Sequence, residues 1–314
     1  MDTLKKRDGS RKTILVTDSG LGGMSVFAQI AAHLKKNSPW QDVSMIYFNA
    51  WPEQNGGYNH FKTMERRARV FNNALNAMEA FKPDMILIAC NTLSVIYPFT
   101  PFEQNTKALV SGIVDHGVQL IYENLIADPD SHVIIFGTPT TIAEKSHEKN
   151  LIKMGINPDR ITGQGCINLA GKIEREPFSS IVTQMINTNV KEAVAKVPEP
   201  VGKIYAALCC THFGYRMDLF QKEFSNQVKT SVTLLNPNQR MAEHVMKNPS
   251  IKTRSIKNQD HPTAFSPDID MHIVSRVCWE KERIDAYTRL LKHVSPEVVK
   301  ALAAYEWNPD LFEI

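Results

Sequence analysis

A chain of 314 residues has room for two domains of ordinary size and for a sizeable core. Apolar residues make up 43% and charged residues 22%, which excludes a wholly disordered, collagen-like or coiled-coil protein. A formal net charge of +3 is too balanced to point to nucleic acid or an anionic membrane as the partner.

The first residues are basic, from Lys5-Lys6-Arg7 to Arg11-Lys12, and run into a short β-like stretch instead of an apolar signal core. Strands are predicted at Thr13 to Thr17, Val43 to Phe48, Met85 to Ala89, His132 to Phe136, Ile204 to Leu208 and Val232 to Leu235, each a short β-branched or aliphatic run. Helical faces lie between them. Val26, Ile30 and Leu34 repeat every four residues, and Val70, Ala74, Leu75 and Met78 mark a second face that Phe81-Lys82-Pro83-Asp84 breaks. Strand, helix, strand alternation predicts parallel sheets with right-handed crossovers, and ligands at the carboxyl ends of the strands. A polar, Lys-rich segment from Asn248 to Asp260 precedes a helical tail, Glu280 to Val294, and then Ser295-Pro296, a good helix start. The strongest apolar run, Met85 to Cys90, is strand-sized, so no bilayer-spanning helix is expected and a cytoplasmic location is.

Five scattered cysteines, Cys90, Cys166, Cys209, Cys210 and Cys278, fit reduced thiols better than a disulfide framework. No C-x2-C pair and no H-E-x-x-H motif suggests a metal.

Three strand ends carry chemistry. Asp18-Ser19-Gly20-Leu21-Gly22-Gly23 follows the first strand and opens a helix, so its backbone N–H groups can face an anion, or its glycines can serve a tight turn with φ > 0. It lacks the full dinucleotide fingerprint, and Asn49-Ala50 stand where an acidic residue would end the next strand. Cys90-Asn91-Thr92 places a thiol at a helix start, where the partial positive charge favours thiolate; a buried structural cysteine is the alternative. Cys209-Cys210-Thr211-His212 repeats that pattern with an added imidazole. Strand neighbours alternate faces, so the two cannot both point into one site; Cys210, which precedes Thr-His as Cys90 precedes Asn-Thr, is assigned to the site and Cys209 to packing.

Asp18-Ser19-Gly20 with Gly22-Gly23, then Cys90-Asn91-Thr92, then Cys210-Thr211-His212 resemble, in order and separation, the glutamate racemase family of cofactor-independent amino acid racemases. The resemblance runs from about Ile14 to the helix near Met246. It implies an α/β protein of two similar domains with mostly parallel sheets, the active site in the cleft between them. Residues 13–107 plus 213–250 would form the domain bearing Cys90, 108–212 the domain bearing Cys210, and 251–314 a helical C-terminal extension.

Inverting a carbon by proton transfer needs a base on one face and an acid on the other, and two thiols can fill both roles. The resemblance assigns Cys90 and Cys210 to these roles, with His212 and Glu174 on the Cys210 side. Asp18 and Ser19 would assist Cys90 and meet the substrate ammonium group. Asn91, Thr92 and Thr211 would line the pocket, and Thr138 and Thr141 would hold a carboxylate. No motif for pyridoxal phosphate is seen, and no cofactor is expected. The implied substrate is glutamate, the implied product D-glutamate for peptidoglycan of the bacterial cell wall.

The stretch from Asn49 to Asn59 departs from the family pattern: the usual aspartate is missing and the loop is longer, with Asn55, Gly56 and Gly57 as substitutes for gripping the substrate side chain. Aspartate or another amino acid therefore remains an alternative substrate. A related thiol isomerase or decarboxylase, a single-thiol hydrolase, and a non-catalytic regulator are further alternatives. Trp279 and Trp307 are candidate anchors for packing or for the interface of a homodimer.

Overall fold

The computed structural model describes residues 11–54, 56–198, 202–247 and 267–314. Its strands are β1 (Lys12–Asp18), β2 (Asp42–Asn49), β3 (Met85–Ile88), β4 (Leu109–Gly112), β5 (Ser131–Gly137), β6 (Ile161–Gly165), β7 (Lys203–Cys209), β8 (Ser231–Leu235), β9 (Asp268–Ser275) and β10 (Glu306–Trp307). They form a six-stranded sheet ordered β10-β9-β2-β1-β3-β4 and a four-stranded sheet ordered β6-β5-β7-β8. Every strand pair in both is parallel.

Parallel strands with helices on both faces must be apolar on both, which explains the unbroken aliphatic runs. Ile14 and Val16 enter one core with Met45 and Leu87, while Leu15 enters the opposite core with Ile46 and Ile86. The second sheet is divided likewise, with Ile134 and Phe136 on one face and Val133 and Ile135 on the other. The helices cover these faces as their periodicity predicts. Met24–Asn37 buries Val26, Ile30 and Leu34, and Met64–Met78 buries Val70, Ala74, Leu75 and Met78. Ser295 caps the helix Pro296–Ala303 by accepting from the Val298 N–H.

The strand pairings move three expected domain boundaries. Leu109–Gly112 does not open the second domain but pairs with β3 as the edge of the first sheet. Ser231–Leu235 pairs with β7, so the chain beyond residue 213 stays in the second lobe until the helix Pro237–Lys247 returns to the first core. The C-terminal segment is helical at Lys281–Leu291 and Pro296–Ala303, but it is not only an appended helical extension: β9 pairs with β2 over eight positions, from Asp42↔Asp268 to Asn49↔Ser275. Partner choice between strands is non-local, so no short-range pattern near these residues could reveal it. Residues 248–266, where both the expected boundary and the Lys-rich segment fall, lie outside the described residues.

Both sheets share one device. The chain leaves β1 for β2 on one side and returns to β3 on the other; it leaves β5 for β6 and returns to β7. Each reversal opens a crevice at the carboxyl ends of the central strands, the usual place for a ligand in such sheets. Those ends carry Asp18 and Cys90 in the first lobe, Thr138 and Cys210 in the second.

Candidate active site

The two crevices face each other across a cavity of about 750 Å³, within the range of small-molecule sites. Asp18, Ser19, Cys90, Asn91 and Thr92 line it from the first lobe, and Thr138, Glu174, Cys210, Thr211 and His212 from the second. Four polar contacts bring the lobes together around it. Thr211 Oγ1 donates to Asp18 Oδ2 at 2.8 Å, and the Leu21 N–H donates to Glu174 Oε2 at 2.8 Å. Thr92 Oγ1 lies 3.2 Å from Thr138 Oγ1, and Thr140 Oγ1 donates to Asn59 Oδ1 at 2.6 Å.

The glycine loop after β1 works by close approach, not by positive φ, since Gly155 is the only described glycine in the left-handed region. A Cβ at Gly22 would sit 2.2 Å from Thr211 Oγ1 and 2.7 Å from His212 Nδ1, and one at Gly20 would sit 2.3 Å from Glu174 Oε2. The loop does bind an anion, but an internal one: its Leu21 N–H holds the carboxylate of Glu174. Tyr47 Oη and Asn49 Nδ2 pin it from below through the Gly20 carbonyl, at 2.6 and 2.8 Å. Asn49 also accepts from Ser275 Oγ at 3.1 Å, so the residue standing near the missing aspartate ties the ends of β2 and β9 to this loop.

Cys90 follows β3 and stands at the N-cap position of the short helix Asn91–Ile96. Its Sγ lies 3.2 Å from Ser19 Oγ. Burial, reinforced by the Asp18 carboxylate, pushes the thiol well above its ordinary range, which works against the thiolate expected at the helix start. Burial likewise raises Asp18, partly offset by His212, Thr211 and the Gly20 N–H.

From the second lobe, Cys210 lies just beyond the end of β7 and lines the cavity, while Cys209 belongs to an apolar core cluster. His212 Nδ1 lies 3.9 Å from Cys210 Sγ, and its Nε2 lies 2.6 Å from Glu174 Oε2. Burial alone would lower the imidazole pKa, but the bonds and charges of Cys210 and Glu174 outweigh it and hold His212 well above the usual range. Burial would raise Glu174, but His212, Arg283 and the Leu21 N–H together keep it below its ordinary value.

Asn91 is buried against the cavity, and neither its Oδ1 nor its Nδ2 has a partner. A buried amide left so is an open donor and acceptor for a polar ligand. Thr141 does not line the cavity; its hydroxyl stands behind, 3.0 Å from Thr138 Oγ1 and 3.5 Å from Thr92 Oγ1. Gly56 and Gly57 do not line it either. Gly57 instead lies under the Trp51 ring, where a Cβ would come within 2.5 Å of it. Asn55 lies outside the described residues.

Trp51, Gln54, Tyr58, Asn59 and His60 from the altered loop supply that wall, with Val277, Glu280 and Arg283 from the C-terminal segment. Two bonds join the segments, Gln54 Nε2 to the Cys278 carbonyl at 2.9 Å and the Cys278 N–H to Gln54 Oε1 at 3.1 Å. No local signal in the sequence marked these residues. Trp279 is buried and stacked on Tyr305, centroids 4.3 Å apart, whereas Trp307 is exposed. Among the described residues no His, Cys, Asp and Glu group could hold a metal ion, and no helix is long and apolar enough to cross a membrane.

No family model matches the chain. It is 26% identical over 242 residues to the glutamate racemase of a Nitratiruptor species, covering 76% of this chain and 85% of that one. Its fold matches a crystal structure of a Bacillus anthracis glutamate racemase with a TM-score of 0.67 at 17% identity, over 90% of this chain and 93% of that one. It also matches the Francisella tularensis glutamate racemase in complex with D-glutamate, with a TM-score of 0.65 at 18% identity, over 90% and 94% of the two chains. The chain is thus similar in sequence to glutamate racemases over 76% of its length, and its fold is that of the solved glutamate racemases.

Proposed function

We propose that this chain interconverts L- and D-glutamate by proton transfer at the α-carbon, with Cys90 and Cys210 as the acid/base pair and without a cofactor. The observation that carries this reading is that two thiols, each following the carboxyl end of a strand from a different sheet, line one cavity. A single-thiol hydrolase would need only one of them.

The substrate carboxylate is taken by the unpartnered Asn91 amide and by the hydroxyls of Thr92 and Thr138, which Thr141 orients. The ammonium group lies against Asp18 and Ser19. Its positive charge then offsets the carboxylate field that disfavours the Cys90 thiolate, so substrate itself prepares that thiol to act as a base. In one direction Cys90 removes the α-proton and Cys210 delivers a proton to the other face, while His212 exchanges a proton with Cys210. In the reverse direction the roles invert. The side chain is directed toward the wall of Trp51, Asn59 and His60. The reading implies a cytoplasmic enzyme that supplies D-glutamate to cell-wall synthesis.

Incubation of the protein in heavy water with each enantiomer of glutamate and aspartate tests it, following optical rotation and deuterium at the α-carbon together. Loss of rotation with deuterium entering product is expected for glutamate. Turnover of aspartate alone would overturn the substrate, and exchange that survives Cys210→Ala at full rate would overturn the two-thiol mechanism.

A further inference from the structure

Arg283 stands on the helix Lys281–Leu291, beyond the stretch whose motifs carry the family resemblance. That helix packs on Leu169–Arg175, which bears Glu174, and Tyr287 one turn further lies edge-on against Tyr215, centroids 5.4 Å apart. The C-terminal segment, joined to the first sheet by β9, thereby reaches the second lobe. Arg283 enters the cavity wall with its side chain 18% exposed, and its Nη1 comes within 3.5 Å of Glu174 Oε1. The two carboxylate oxygens therefore have separate duties. Oε1 faces the guanidinium, and Oε2 takes the Leu21 N–H and His212 Nε2.

We infer that Arg283 is a positioning residue for the Cys210 half of the site: it fixes Oε1 of Glu174, so that Oε2 stays on His212 and the imidazole keeps its Nδ1 edge toward Cys210. A carboxylate held by one oxygen alone could rotate, and a buried Glu–His pair with no further cation could collapse to its neutral form by passing the proton across. The second cation opposes both. When Cys210 carries the thiolate, the line Cys210, His212, Glu174, Arg283 alternates in sign, so each buried charge has an opposite neighbour. The consequence for turnover rests on the racemase reading; the hold on Glu174 does not.

The other groups that act on Glu174 or feel its charge are Asp18, Tyr47, Tyr215 and Tyr287, with Glu280 and Arg175 on the same cavity wall. The test leaves all of these in place. The Glu174 carboxyl is titrated by ¹³C NMR in the intact protein and in Arg283→Gln, Arg283→Met and Arg283→Lys, and kcat and KM are measured against pH for both glutamate enantiomers. In the two neutral variants the Glu174 midpoint should rise by about one pH unit, and in Arg283→Lys it should stay near the wild-type value. The acid limb of kcat/KM should move up with it, equally for both enantiomers because their equilibrium constant is one. KM should change less than about twofold.

A Glu174 midpoint unmoved in the neutral variants would overturn the inference. So would a raised KM at unchanged kcat, which would make Arg283 a substrate-binding group through its unpartnered Nε. Should Arg283→Gln fail to fold, Arg283→Met keeps the aliphatic stem and carries the same readout. A shifted Glu174 in a protein that racemises no amino acid would sink the racemase reading and uphold the hold of Arg283 on Glu174.

Discussion

Each thiol meets a different electrostatic problem. Cys90 is buried beside the Asp18 carboxylate, and both burial and that charge raise its pKa, whereas Cys210 has an imidazole at hand. Cys90→Ala and Cys210→Ala should each lower racemisation at least about 10²-fold, the usual share of a positioned acid or base, as polarimetry would read. The Glu174–His212 pair also has a pH signature in stability. Glu174 is held below its ordinary value, so its contribution is present above that value and lost as pH falls through the lowered one. His212 is held above its ordinary value, so its contribution is complete below about 6.5 and lost as pH rises through the raised one. Glu174→Gln should therefore cost about 1.5–3 kcal/mol near pH 6, with the difference from wild type shrinking toward both acid and alkaline pH in thermal melts. The four residues Asp18, Cys90, Cys210 and His212 were legible in the sequence because each lies at, or within three residues of, the end of an aliphatic strand run. Arg283 was not, because nothing around Lys281–Leu291 distinguishes a cavity-facing arginine from a solvated one.

Among the elements, the loop from Asp18 to Gly23 is held on every side: Tyr47 and Asn49 below, Glu174 ahead, Thr211 and His212 across the cleft. Gly22→Ala would drive a methyl into Thr211 and His212, both tied into the site. It should cost about 1–3 kcal/mol by the usual penalty of overpacking and reduce turnover at least tenfold, with melting and kinetics measured on one preparation. Gly155 provides the contrast. Its φ of 93° is left-handed but nothing lies within 4 Å of an added Cβ, so Gly155→Ala should cost about 1 kcal/mol through backbone strain and leave turnover unchanged. Six strands were readable as aliphatic runs, yet four were not. β4 and β10 are too short to show a period, β6 is interrupted by Gly163, and β9 alternates charged and apolar residues from Asp268 to Met271.

For the whole molecule, the C-terminal segment is structural before it is anything else. β9 extends the first sheet beside β2, Trp279 and Tyr287 fill its core, and Gln54 and Cys278 join it to the cavity loop. Truncation before residue 267 should expose the edge of β2 and the core face beneath it, giving an aggregating or unfolded chain by circular dichroism and size exclusion; a soluble, native truncation would show the segment to be dispensable to the fold. The sequence alone determined the α/β class, the parallel sheets and the two thiol-bearing strand ends, because these depend on local periodicity and on residues adjacent along the chain. Tertiary structure alone decided where one lobe stops and the other begins, that Gly20 and Gly22 serve close approach, that Gly57 shields Trp51 instead of gripping a ligand, and that Arg283 reaches Glu174. Those outcomes depend on which distant strand supplies hydrogen-bond partners and which surfaces meet across the cleft, and such pairings between remote segments leave no mark on their immediate neighbours in sequence.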